Sequence, residues 1–258
     1  TLHDHSGNQN HGDINGAANW VLNTLGCTDP IADNYNPEAN WDDGSCGYPD
    51  NGDFSLSFDG EDDWVEIPHS ESFSIRDEIS IIVWTKPNFD LGLNTYAIIT
   101  KGWVSECGTV SEYHMQFSTG SGGYYLKPHF LVEDCDWYNY NGNISINSES
   151  INMYSMVYDE GTYISYINDQ IDDERLIPGD AGTGLLEEGD GTLRFSSYSG
   201  GVNVEDYPFH GNIYQAAIIP SALLESDISD LYNSFEDNIE DYNPVAYYKF
   251  NSGSGDTL

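Results

Sequence analysis

SLSFDGEDDWVEIP (55–68), followed by ISIIVWTKP (79–87), decides the fold: short runs rich in β-branched and aromatic residues, split by a Gly/Asp turn. The same grammar continues in both directions. FSLSF (54–58), WVEI (64–67), ISIIVWTK (79–86), YAIITK (96–101) and YHMQF (113–117) are joined by YYLKPHFLV (124–132), INMYSMVY (151–158), TYISYIN (162–168), TLRFSS (192–197) and NIYQAAII (212–219). Period-two alternation between Gly, Asn and Asp turns predicts an all-β, antiparallel sandwich. Only SALLESDISDLYNSF (221–235) places apolar residues at helical spacing, which predicts one short helix capped by Ser221 and laid across a sheet end.

The 258 residues carry 44 acidic against 7 basic side chains, a formal charge of -37 that repels polyanions and so excludes nucleic acid and anionic membranes as partners. Most of these carboxylates read as a solvated surface, while those clustered in turns read as sites for divalent cations. No apolar window has the length of a membrane span, so membrane insertion is not expected. Four cysteines in an acidic, Tyr- and Asn-rich chain favour disulfides and a secreted, extracellular protein.

The stretch GCTDPIADNYNPEANWDDGSCG (26–47) has too few apolar residues for a core and needs a staple. Cys27 and Cys46 enclose eighteen residues, and closing a loop of that size contributes roughly 3 kcal/mol in the chain-entropy model. Cys107 and Cys135 then form a second local pair. Five segments follow: 1–25 as the opening turn and strand of the sandwich, 26–47 as an inserted module, 48–235 as the sandwich, 236–244 as a linker, and 245–258 as a completing strand.

The ordered motifs SLSFDGEDDWVEIP, ISIIVWTKP, INMYSMVYDEGTYISYINDQ (151–170), TLRFSS and FHGNIYQAAIIPSALLESDISDLYN (209–233) resemble laminin G-like, concanavalin A-like lectin domains of bacterial surface proteins. The resemblance implies a jelly-roll β-sandwich with the stapled module as a surface insertion. The module itself is similar to a small GCTDP…DDGSC repeat of secreted bacterial proteins, in which a further cysteine stands where this chain has Ala32-Asp33; its absence supports the simple Cys27–Cys46 pairing. In the family, a strand like VAYYKFNSGSGDTL runs directly into a turn like DHSGNQNHGDINGA. Here those pieces are residues 245–258 and 4–17.

That order permits Val245, Ala246, Tyr247, Tyr248, Lys249 and Phe250 either to fold back or to be donated to the next copy. Donation is the reading favoured here, giving a head-to-tail fibre or adhesin subunit whose partners are copies of itself. The alternative is a calcium-dependent carbohydrate-binding module.

Calcium is the expected cofactor. The resemblance brings Asp4, Asn8 and Asn10 toward Asp59, Asp62 and Asp63; the module offers Asp29, Asp33, Asn34, Asn36, Asp42 and Asp43. Ordinary capping of turns by Asx side chains is an equal explanation of the first set, and the second lacks the spacing of an EF-hand. For glycans, Trp137, Tyr138 and Tyr140 offer aromatic faces in a loop-like WYNYNGN, and Asn143 heads the chain's one N-glycosylation sequon. No paired-carboxylate spacing of a glycosidase, nucleophile elbow or zincin motif occurs, so catalysis is not expected.

Overall fold

The computed structural model describes residues 5–6, 8–10, 12–13, 15–16, 20–30, 32–47, 54–104, 110–132, 136–148, 150–176, 186, 189–197, 207–234 and 239–251. They belong to two compact units, Thr1–Asp50 and Asn51–Leu258. Residues 1–25, expected to open the sandwich, therefore fall with the stapled module.

In the first unit the Cys27–Cys46 disulfide is formed. A two-residue parallel pair, β1 (Leu25–Gly26) with β2 (Trp41–Asp42), is its only regular structure among the described residues. Side-chain amides hold the turns: Asn34 Oδ1 accepts from Gly47 N at 2.7 Å and Asn36 Oδ1 from Glu38 N at 3.0 Å.

The second unit is an antiparallel jelly-roll sandwich. Its strands are β3 (Leu56–Asp59), β4 (Val65–Ile67), β5 (Glu78–Pro87), β6 (Thr95–Val104), β7 (Val110–Gly120), β8 (Gly123–Val132) and β9 (Asp136–Asn139). They continue as β10 (Asn152–Asp159), β11 (Thr162–Ile167), β12 (Gln170–Leu176), β13 (Leu193–Phe195), β14 (His210–Ile219) and β15 (Ala246–Tyr248). One sheet runs β12-β11-β10-β5-β14-β15 with β3 also on β14; the other runs β4-β13-β6-β7-β8-β9.

Between the sheets lie Ile79, Ile81 and Val83 of β5, Tyr154, Met156 and Tyr158 of β10, and, from the facing sheet, Tyr113, Met115, Phe117, Phe130 and Phe195. The seven-stranded sheet is buried on its outer face too. Ile82 and Trp84 of β5, Met153 and Val157 of β10, and Ala217 and Ile219 of β14 pack there with Ile228 and Leu231 of helix α1 (Glu225–Ser234). Double burial explains why β5 reads as an almost continuous apolar run. The facing sheet is covered on part of its outer face as well, where Thr100, His114 and His129 are buried, and is half-exposed there at Ser118, Tyr125 and Lys127.

The helix starts later than Ser221. Ser80 Oγ donates to Ser221 O at 2.7 Å and accepts from Leu223 N at 2.9 Å, which pins that segment to β5. The helix begins after it, and Asp227 Oδ2 reaches back to accept from Leu224 N at 2.9 Å, the reciprocal arm of a capping box. A second correction concerns WYNYNGN: Asp136–Asn139 is a strand, with Trp137 and Tyr138 opposite Leu131 and Phe130.

The C-terminal strand folds back. Ala246, Tyr247 and Tyr248 pair with Ile218, Ala217 and Ala216 of the same chain, and Val245 N donates to Ile218 O at 2.8 Å. Val245–Phe250, which the order of the motifs allowed either to fold back or to be donated, is seated in its own sandwich in this chain. Ile239, in the single turn Ile239–Tyr242, buries against the helix-side cluster and returns the chain to β14. Tyr248 and Phe250 then pack edge-on against Phe195 with centroids 5.5 and 5.1 Å away.

Lys101 and Glu112 form an ion pair at 3.2 Å with both side chains fully buried. Gly189 completes it, its carbonyl accepting from Lys101 Nζ at 2.8 Å and its N–H donating to Glu112 Oε2 at 3.1 Å.

Gly211 has φ +138, and a Cβ there would lie 2.3 Å from Lys86 O. Gly211→Ala should destabilise by about 2–3 kcal/mol, whereas Gly92→Ala, also at positive φ but with nothing within 4 Å, should cost about 1 kcal/mol; denaturant melts of both variants check this. Cys107 and Cys135 lie outside the described residues, but the register Tyr113↔Phe130 puts the start of β7 and the end of β8 at one end of the sheet. Non-reducing peptide mapping should recover Cys107–Cys135 as a link; crossed links to Cys27 or Cys46 would refute the local pairing.

Candidate functional site

With Tyr113, Met115 and Phe117 facing inward, strand alternation turns His114, Gln116 and Ser118 of β7 outward; Leu126 and Phe130 likewise turn Tyr125, Lys127 and His129 of β8 outward. Cross-strand register sets these positions in rows. One runs Glu66, Arg194, Thr100, His114, His129, Asn139 across all six strands. The next runs Ala97, Gln116, Lys127, and a third Thr95, Ser118, Tyr125.

The first row is closed. Arg194 Nε donates to Glu66 Oε2 at 2.7 Å, which occupies the one carboxylate in the described rows. His114 and His129 stack at 4.3 Å and 11°, and Ser111 Oγ lies 2.6 Å from His114 Nδ1. Burial drives the His129 ring down to about 4 and the His114 ring well below the usual histidine range, so both are neutral at physiological pH.

The third row opens toward solvent, and of the second only Lys127 does, since Ala97 and Gln116 are buried. Lys127 and Tyr125 are half-buried, and burial also lowers the Lys127 ammonium. Tyr125 Oη donates to Ser121 O at 2.9 Å; Asn141 Nδ2 donates to Thr119 O at 3.2 Å. Tyr140 stands at the rim, 47 % exposed, with the Arg175 guanidinium 4.4 Å from its ring centre. Arg175 is itself held by Asp173 at 2.5 Å.

Asp172 fixes the rim. Its Oδ1 accepts from Asn143 N at 2.9 Å and Ile144 N at 2.7 Å, while Gly142 N donates to Leu126 O at 2.8 Å. A Cβ on Gly142 would sit 1.6 Å from Asp172 Oδ2, so the glycine is what lets the carboxylate in. Asn143 spends its Nδ2 on Asp172 O at 2.7 Å and Asp173 Oδ1 at 3.2 Å, so attachment of a sugar there would displace at least one of these bonds. Of the aromatic residues proposed from sequence, Tyr140 is at this site, and Trp137 and Tyr138 lie on its edge strand. Gln116 and Lys127 were missed, although the alternation in YHMQFS and YYLKPHF carries the signal.

A family model of the concanavalin A-like lectin/glucanases superfamily matches residues 59–229. The chain belongs to that superfamily. The match begins beyond the stapled module, and comparison with curated proteins finds no match. Among solved structures, this lectin/glucanase-type chain is similar to a Bacteroides ovatus protein assigned as carbohydrate-binding (TM-score 0.57, 12% identity, 83% of this chain and 55% of that one). It is also similar to the CBM40 domain of a Ruminococcus gnavus IT-sialidase bound to α2,3-sialyllactose (TM-score 0.55, 10% identity, 69% and 95%). The binding domain of botulinum neurotoxin serotype D gives a TM-score of 0.50 at 14% identity over 71% and 45%. At such identities the likeness is one of fold.

A second feature of the superfamily domain is the turn after β3. Asp59, Asp62 and Asp63, all exposed, bring carboxylate oxygens within 4.8 Å of one another. Asp59 Oδ1 accepts from Glu61 N at 2.8 Å and Asp63 Oδ2 from Asp59 N at 3.1 Å. Gly60 has φ +81, and a Cβ would meet Leu91 at 2.5 Å and His210 at 2.8 Å. Asn8 and Asn10 belong to the first unit, where Asn8 Nδ2 bonds Ser6 Oγ at 3.2 Å; Asp4 lies outside the described residues.

In the module, Asp42 Oδ1 accepts from Gly44 N at 2.8 Å and Asp43 Oδ1 from Ser45 N at 3.0 Å, an Asx capping of the module's own turn. Asp29 and Asp33 join no acidic group of three among the described residues.

The folded state holds His129 at about 4 against an ordinary 6.5. Between those values the unfolded chain binds the proton and the folded chain does not, so stability rises with pH across that window. Lowering the pH from about 6.5 to about 4 should cost about 3 kcal/mol through His129, and His129→Gln should remove that part of the slope in urea melts at stepped pH.

Proposed function

We propose that this domain is a lectin-like, non-catalytic carbohydrate-binding module whose floor is the outer face of the six-stranded sheet. The observation that carries the reading is the half-exposed pair Lys127 and Tyr125, with the buried Gln116 beneath them and Asn141 and the exposed Tyr140 ring in the segment after β9. Ammonium and amide groups bond hydroxyls, and tyrosine faces take the C–H face of a pyranose. A core-backed sheet holds these groups in place, which lowers the ordering cost of binding. Two of the solved neighbours are described as carbohydrate-binding or carry a bound sialyllactose, in keeping with this reading. Function as a fibre or adhesin subunit is the weaker reading, because β15 is seated in its own sheet.

Calcium at the β3 turn is the second part of the proposal. Three carboxylates supply the hard oxygens that calcium takes, and Asp59 Oδ2 and Asp63 Oδ1 are outside the two amide bonds of the turn. A cation there offsets local repulsion in a chain of net charge -37. The Cys27–Cys46 disulfide fits an extracellular setting.

A glycan array should find specific binding by the isolated chain, and Lys127→Ala and Tyr140→Ala should each weaken it about tenfold, the size of one good polar or stacking contact; affinity unchanged in both variants would move the site elsewhere. Calcium at about 100 times its Kd should stabilise by about 3 kcal/mol, roughly 5–10 °C in Tm. A thermal melt at fixed ionic strength with and without chelator reads this. Asp62→Ala should abolish the difference, and a midpoint indifferent to calcium would exclude the ion.

A further inference from the structure

The outer edge of β14 is filled by two separate pieces of chain placed end to end. β3 takes His210–Ile213 and β15 takes Ala216–Ile218, while β5 occupies the whole opposite edge. The second piece is short: three residue pairs and the Val245 N–H bond make its ladder. Its side chains carry the recognition. Tyr248 and Phe250 meet Phe195 edge-on at 82° and 89°, Phe250 is 7% exposed, and Tyr247 Oη donates to Gln215 Oε1 at 2.7 Å. This is strand addition to an open edge, with pockets for alternate side chains, performed within one chain.

The hinge that leads into it is strained. Asn243 sits at φ +51 directly before Pro244, whose ring disfavours α-type backbone in the residue preceding it. Strained, short hinges next to a docked terminal element favour exchange of that element between copies, because opening relieves the hinge while every docking contact is remade in trans.

We propose that Val245–Asn251 is an exchangeable strand that leaves its own β14 edge and seats on the same edge of a second copy of this chain. The closed and exchanged forms make identical ladder and aromatic contacts, so hinge strain and protein concentration decide between them. A second copy is the occupant that the edge specifies, since it alone is certain to bring Tyr247, Tyr248 and Phe250 at the right spacing. Net charge of -37 opposes the approach of two copies, so salt must promote the exchange.

The test places cysteines at the paired positions Ala217 and Tyr247 (Ala217→Cys with Tyr247→Cys) in the full chain and oxidises it over a range of protein concentrations at about 1 M salt, where the screening length is about 3 Å. Non-reducing gels should show intrachain closure in dilute samples and a share of interchain dimers or multimers that rises with concentration. Asn243→Gly in the same background should lower that share roughly fivefold, the equivalent of relieving about 1 kcal/mol of left-handed strain. Intrachain closure at every concentration overturns the proposal. Native mass spectrometry of the unaltered chain runs beside it; a monomer throughout overturns it as well, even if the cysteine pair fails to close.

Discussion

Strand β14 has to satisfy the backbone groups from Gln215 to Ile219 while both of its faces are dry, because one face meets the inter-sheet core and the other meets helix α1. An unpaired N–H or C=O in that setting costs as much as a lost hydrogen bond. β5 satisfies one edge completely. The other edge takes two short segments far apart in sequence, Leu56–Asp59 and Ala246–Tyr248, and the remaining architecture follows from recruiting them. Gly211 permits the close approach to Lys86 and Pro87, and Ile239 turns the chain so that the last strand arrives at all.

Much of this was legible in the sequence because it rests on local period. The alternation in ISIIVWTKP, INMYSMVY and NIYQAAII marked the central strands, and GEDD marked the turn that gathers Asp59, Asp62 and Asp63. The illegible parts depend on partners that local pattern does not name. WYNY resembles a loop until β8 supplies a ladder for it. Ser221 resembles a cap until Ser80, 141 residues away, binds its carbonyl. The direction taken by Val245–Phe250 could not be read from linker length, since length allowed both answers; burial of Ile239 settled it for the single chain.

The proposed binding face was half legible for the same reason. Tyr140 was visible as an aromatic residue in a polar stretch, but Gln116 and Lys127 become a pair only through the β7–β8 register. Burial of charge follows the same logic at the far end of the sheet. The Lys101–Glu112 pair is tolerable in a dry environment because Gly189 supplies both a donor and an acceptor to it.

The two sheets divide the labour of the domain unequally. One is committed on both faces, so almost any change in β5, β10 or β14 is paid in melting temperature. The other is buried on its inner face and around Thr100, His114, Gln116 and His129 of its outer face, and only the half-exposed positions Ser118, Tyr125 and Lys127 contribute little to the core. Variation at those half-exposed positions is therefore cheap: a lineage carrying this sandwich can change the chemistry of that patch, one outward side chain at a time, without renegotiating its stability.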